Sequence, residues 1–509
     1  MKRRSRLVLL VFFLCCLTAA LEAEDASAAS QDTLKISLFQ RVSTLDPWNT
    51  AELVAWWVLD ALYDCLYTID AQTLKPVPNL VVSHKLINNT TWEFELKKGV
   101  KFSNGEPFNA EAVKFSFDRG LDPERKLYTK PQWDRIIESV QIVDDSKVRI
   151  ITKKPDPILL NRLASYSFMV PPKYIKEKGD AYFGEHPIGT GPYKLVNWKR
   201  GEEIILEANK DYWGNPPNIK RLQFRKIPEA AVSTAELITG GIDVIPRILS
   251  DQVPTVEKSA KAKIESKPSS RVFFLQVDAD GRAGKTPLQD LKVRRAVYHA
   301  IDRKAIMRDV KRGYAEMIHG PLSKIYFGHD PNMEKIEPEY NPEKAKKLLA
   351  EAGYANGFNA EISAYDEKQI VEAIQGYLLK IGIKTRLNWY GADLGTLIKL
   401  RNAGKVKDLG MYSFGPKVFD ADIFLTYWHH STMAPCAAKR KELDNWLDEA
   451  SGTFDIKRRQ ELYSKVQRYI VENVLWVPIL SDVCLYGVNK DLNFAAIGEY
   501  PQFHKCSWK

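Results

Sequence analysis

The 509-residue chain is poor in cysteine and histidine, with six of the first and eight of the second. No CxxC pair and no Cys/His cluster occurs, so a thiolate zinc site is excluded. No G-x-S-x-G elbow and no H-E-x-x-H helix is present, which removes the commonest hydrolase signatures. There is no internal repeat and no low-complexity linker. Beyond the N-terminus no run is apolar enough to span a bilayer. The net charge of +10 is spread along the chain and interrupted by acids, so it forms no basic block for nucleic acid.

What is present is the balance of a globular protein, 45% hydrophobic and 27% charged. The length exceeds one ordinary core, so two or more domains are expected. Twelve Trp and twenty-two Tyr offer amphipathic rings suited to a ligand cleft. The first residues read as an export signal. Lys2, Arg3, Arg4 and Arg6 precede an apolar run from Leu7 to Leu21, and Ala26-Ser27-Ala28 is a small-x-small cleavage site. Residues 1–29 are therefore expected to be a signal peptide, and the mature protein to be periplasmic. Cys65, Cys436, Cys484 and Cys506 remain after cleavage. In an oxidising compartment they can form two disulfides, with Cys484–Cys506 the favoured pair because it closes a small loop, or they stay as buried thiols.

Strand and helix patterns alternate. Leu34 to Leu38 has period two, and Ala51 to Leu62 repeats its apolar residues at helical steps. Trp92–Leu96 and Val100–Phe102 flank a Lys97-Lys98-Gly99 turn and predict a hairpin. Asn109 is the expected cap of a helix from Ala110 to Arg119. Val272–Val277 reads as a buried strand and Trp476–Leu480 as a strand, and Pro342–Ala352, Gln369–Ile381 and Arg458–Glu472 as helices. The alternation predicts an α/β protein with largely covered sheets. With no linker between domains, the chain is expected to cross from one lobe to the other.

The stretch WEFELKKGVKFSNGEPFNAEAVKFSFDR from Trp92 to Arg119 resembles the signature of the bacterial extracellular solute-binding proteins of family 5, the peptide/nickel type. Further matches follow in order. They are Thr44-Leu45-Asp46-Pro47, Gly189-Thr190-Gly191-Pro192-Tyr193, Asn209 to Gly214, Leu291 to Ala296 with Ala300 to Arg303, and Tyr340 to Ala345 with Leu348 to Gly353. The Gly-Thr-Gly-Pro-Tyr turn is read as needing glycine for backbone freedom. Tyr212 and Trp213 are read as packed aromatics.

The resemblance implies a two-lobed periplasmic binding protein fold with an additional subdomain. Lobe I would combine 30–75, 191–270 and 481–509, the subdomain 76–190, and lobe II 271–480. It implies capture of a small peptide or peptide-like ligand in an interlobe cleft and delivery to the permease and ATPase subunits of an ABC importer. A monomer that is no enzyme, uses no cofactor and binds no nucleic acid is expected. A nickel chelate, an opine or an oligosaccharide is the alternative ligand, and a secreted hydrolase the remote one. Ligand-binding positions would be Trp56, Arg125, Trp133, Phe414, Lys417, Phe419, Asp420 and Trp428, with His430 as the one candidate metal ligand. Peptide-binding relatives carry an acid for the peptide ammonium ahead of Asp420-Ala421-Asp422, and that position is Lys417 here. A lysine there repels an ammonium and suits an anionic or neutral group, unless a small gap moves it to the surface.

Overall fold

A computed structural model describes residues 32–391 and 393–509. The export signal at 1–29 lies outside the described residues. An 11-stranded sheet runs through the molecule, and its two longest strands, Ala262–Val277 and Trp476–Asn489, lie antiparallel at its centre. Beyond the first lie Leu409–Phe414, Phe358–Ala364 and Ile383–Trp389. Beyond the second lie Val244–Ile245, Thr33–Leu38, Arg221–Lys226, Glu203–Ala208 and Tyr193–Lys199.

Each long strand serves both halves of the sheet. Ala262–Pro268 pairs with Asn489–Val483, and Val272–Gln276 with Ser481–Trp476. The register breaks between Pro268 and Val272, so Ser269, Ser270 and Arg271 are free of the ladder where the halves meet. Only Val272–Val277 pairs onward to Leu409–Phe414, and only Val488 and Gly487 pair onward to Val244–Ile245. The sequence reading recognised only Val272–Val277 and Trp476–Leu480. Across the register break the first strand alternates Lys263, Glu265 and Lys267 with less polar residues, and the second passes Ser481 and Asp482 before it is buried again from Leu485 to Val488.

A separate four-stranded antiparallel sheet orders Val81–Asn88, Thr91–Leu96, Lys147–Thr152 and Ile137–Asp144. The predicted hairpin is not formed. Thr91–Leu96 pairs with its two sheet neighbours, and Lys101 makes only an isolated bridge to Pro107. Gly99 does turn the chain, at φ 78°, but the residues that follow it pair with no strand of this sheet. Helix Ala110–Leu121 starts where expected, with Asn109 Oδ1 accepting from Ala112 N at 3.2 Å.

The Gly-Thr-Gly-Pro-Tyr glycines serve a different purpose from the one read in the sequence. Neither adopts a positive φ. A Cβ at Gly189 would sit 2.1 Å from the Leu62 carbonyl oxygen, and one at Gly191 2.5 Å from the Leu62 carbonyl carbon. Glycine is required here because two backbones touch. The Cys484–Cys506 disulfide is likewise absent, and all four described cysteines are free thiols. Cys506 is buried against the Gln502 carbonyl, whereas Cys484 lines a cavity described below.

Candidate functional site

Helix Leu53–Leu62 lies at the junction of the sheet halves and presents residues to two cavities. Its sequence, LVAWWVLDAL, is apolar except for Asp60. Leu53 and Trp57 line a cavity of about 380 Å³. Asp60 lines a second cavity, of about 180 Å³, with Tyr63, Phe168, Lys417, Phe419 and Tyr500.

The larger cavity draws on both halves. From one side come Arg247 to Asp251 and Glu499; from the other come Arg271, Lys311, Arg312 and Glu367 to Gln369. Most of its charges are paired. Arg271 Nη1 meets Asp366 at 3.1 Å, and Lys311 Nζ bridges Glu367 at 3.1 Å and Asp482 at 3.0 Å. The Glu499 carboxylate accepts from Ser269 and Ser270 in the break of the central strand, and its carbonyl accepts from Trp57 Nε1 at 2.8 Å. Arg247 is half-buried and takes part in no ion pair among the described residues. Arg312 and Glu367, both on the cavity wall, hold left-handed backbones at φ 53° and 51°. Non-glycine residues in that region carry strain of the sort that collects at ligand sites.

Residues 75–435 match the family model of the bacterial extracellular solute-binding proteins, family 5 Middle. The chain belongs to this family. It is 26% identical over 497 residues to the glutathione-binding protein GsiB of Pectobacterium atrosepticum, covering 93% of each chain. The structure of HbpA2 from Haemophilus parasuis superposes with a TM-score of 0.82 at 25% identity, over 94% of this chain and 100% of that one. NikA from Brucella suis, solved in complex with Fe(III)-EDTA, shares the fold with a TM-score of 0.83 at 24% identity, over 94% and 100%. The two-lobed fold of family 5 and a role as the solute-binding component of an ABC importer are thereby established. Family members are binding proteins rather than enzymes. No helix of the described residues is long and apolar enough to cross a membrane.

The family 5 site expected from sequence is only partly assembled. Lys417 faces inward, with Nζ 2.8 and 2.9 Å from the two Asp60 oxygens. Its charge is thus already met by a carboxylate from the other half, which corrects the expectation of a free cation awaiting an anionic ligand. Phe419 lines the smaller cavity, and Trp56 lies beside the Lys417 ammonium. Phe414 stacks on Tyr427 at 5.2 Å.

The other expected ligand residues are used by the fold. Trp133 is buried between Trp48 and Phe117, and Trp428 between Phe274 and Trp476. Arg125 pairs with Asp122 and Asp180. Asp420 caps helix Ala421–His429 through Asp422 N and pairs with Arg459 at 2.7 Å. His430 shares a 2.7 Å hydrogen bond with Thr432 Oγ1 and turns Nε2 to within 3.3 Å of Asp448, so it lines neither cavity. Its neighbour His429 is buried against Trp476, and burial pushes its imidazole down to about 3.

Sequence reasoning missed Asp60, Tyr500, Arg247 and Arg271. Asp60 had a visible signal, a lone charge on an otherwise apolar helix. Arg247 stands in a loop, Arg271 at a strand break and Tyr500 in a two-residue strand, too short for any periodicity to mark it.

Tyr212 and Trp213 are packed as expected, and they also hold an acid. Trp213 Nε1 donates to Asp64 Oδ2 at 2.9 Å and Asn79 Nδ2 to Oδ1 at 3.2 Å. Burial nevertheless pushes the Asp64 carboxyl up to about 6. The folded chain therefore keeps this proton up to about pH 6, while the unfolded chain releases it near pH 4. Its contribution to stability is complete below about pH 4 and is lost as pH rises through 6. The loss is about 3 kcal/mol, at about 1.4 kcal/mol per pH unit. Urea unfolding across this interval should show the decrement in the wild type and not in Asp64→Asn. Parallel pH profiles for the two proteins would remove Asp64 as its source.

Proposed function

We propose that the 380 Å³ cavity receives a short peptide or peptide-like solute whose carboxylate meets Arg247, and that the chain delivers it to a peptide-type ABC importer. The observation that carries this reading is an unpaired guanidinium on the wall of a cavity bounded by both halves of the sheet. A cavity of this size lies within the range of small-molecule sites and suits two or three residues. The mixed charges on its wall suit a zwitterionic backbone. Glutathione, the ligand named for GsiB, is a tripeptide with two carboxylates and one ammonium. We also propose that lobe I comprises 30–75, 191–270 and 481–509, the subdomain 76–190, and lobe II 271–480. In support, the pairing of the central strands breaks beside residues 270 and 481. Residues 1–28 or 1–29 would be removed on export to the periplasm, and N-terminal sequencing of the exported protein should then begin at Ala29 or Ser30.

Calorimetric titration tests the ligand class. The panel is glutathione, a dipeptide, a tripeptide, the same tripeptide with an amidated C-terminus, and nickel–histidine. A peptide with a free carboxylate should bind, and its amide should bind at least tenfold more weakly. Binding of nickel–histidine alone, or equal affinity for acid and amide, would end the proposal.

A further inference from the structure

The ammonium of Lys417 sits in surroundings built for a cation. Both Asp60 oxygens lie within 2.9 Å of Nζ. The rings of Tyr500, Trp56 and Phe168 lie 4.7, 5.8 and 5.8 Å from it. A carboxylate plus ring faces is how proteins hold organic ammonium groups, because each ring offers its negative face and the acid cancels the charge. An ordinary surface ion pair has no such enclosure, whereas only 13% of the Lys417 side chain is exposed.

The parts of this arrangement come from different halves of the sheet. Asp60 and Trp56 belong to helix Leu53–Leu62, and Lys417 follows strand Leu409–Phe414. The Lys417 segment is held by its main chain. Ser165 Oγ donates to the Lys417 carbonyl at 3.1 Å, and Gly415 lies so close to Arg271 that a Cβ would fall 2.9 Å from its backbone. The ammonium is thus carried to a fixed place by the backbone.

We infer that Asp60, Trp56, Phe168 and Tyr500 form a subsite for a primary alkylammonium, and that Lys417 occupies it as a tethered ligand supplied by the chain itself. The cavity of about 180 Å³ beside Asp60 and Lys417 gives a small amine room once the lysine is shortened. The inference deepens the reading of a peptide-like solute: that solute brings no ammonium to this spot, and one that did would have to displace Lys417.

The test uses n-butylammonium as the probe. By calorimetry, Lys417→Ala should bind it at least tenfold more tightly than the wild type, and Lys417→Ala with Asp60→Ala should lose that gain. No gain in folded Lys417→Ala, or a gain that survives loss of Asp60, would overturn the assignment. A second measurement needs no variant. Under reductive methylation of the wild-type protein, peptide mass spectrometry should find Lys417 modified at least tenfold more slowly than the exposed Lys347. Equal rates would show an ammonium that is not enclosed. Because the probe is a simple amine, failure here leaves the peptide reading standing, and failure of the peptide panel leaves this subsite untouched.

Discussion

Replacing Arg119 with methionine should destabilise the fold by about 3–5 kcal/mol, the range for removing one partner from a buried ion pair. The Arg119 side chain is fully buried and that of Asp46 nearly so. Its Nη2 meets Asp46 Oδ2 at 2.5 Å, its Nη1 meets Oδ1 at 3.2 Å, and its Nε meets Asp180 at 2.9 Å. Arg119 lies in the last turn of helix Ala110–Leu121, where the helix dipole also favours a cation. Methionine keeps much of the apolar stem but leaves the Asp46 carboxylate buried without its counter-charge. Trp48 N, which donates to Asp46 Oδ1 at 3.0 Å, offsets only part of that loss. Urea unfolding of the variant measures the effect. Asp46→Asn combined with Arg119→Met should recover at least 1 kcal/mol, because the stranded charge is gone. A loss below about 1 kcal/mol in the single variant would mean that water reaches Asp46.

The second large effect concerns the ligand and rests on the proposed function. Arg247→Ala should weaken the carboxylate-bearing member of the peptide panel by about ten- to a hundred-fold. A charge-assisted hydrogen bond contributes roughly 1.5–3 kcal/mol, and about 1.4 kcal/mol is a factor of ten. Arg271 and Lys311 share the cavity, but each is already engaged by an acid of the chain, so Arg247 is the half-buried cation left for an incoming carboxylate. Affinity for the amidated peptide should stay within about twofold, since that ligand has no charge to lose. Arg247→Lys should recover part of the affinity, because a point charge remains but the planar fork does not. Calorimetry with acid and amide forms on the three proteins separates this from a general loss of packing, which would weaken both ligands alike.

Arg119 also shows how far sequence reasoning reaches. Thr44-Leu45-Asp46-Pro47 and the stretch ending at Arg119 were both recognisable as motifs, yet nothing in either says that they are partners. Their acid and base lie 73 residues apart and meet in the folded chain. The helices Ala110–Leu121, Pro342–Glu351 and Ile456–Glu472 were legible because period, cap and composition agree within one short window. The long strands were half legible, since each apolar run stops at the register break, at Ser269–Arg271 in one strand and Ser481–Asp482 in the other.

The site was the least legible part. Lys417 was singled out by its place in a motif, and that residue does face inward. Its partner Asp60 lies 357 positions away, and no local pattern predicts a contact across that separation. Trp133, Trp428 and Arg125 were expected at the ligand, and the fold uses all three elsewhere. Type alone does not distinguish a ring in a cleft from a ring in a core, nor a free guanidinium from a paired one. By itself, then, the sequence determined the family, the α/β class and several of the helices, because these follow from short-range periodicity and ordered motifs. Only the tertiary structure decided which charges are neutralised and which remain for a ligand, because an ion pair depends on distance in space and not on spacing along the chain.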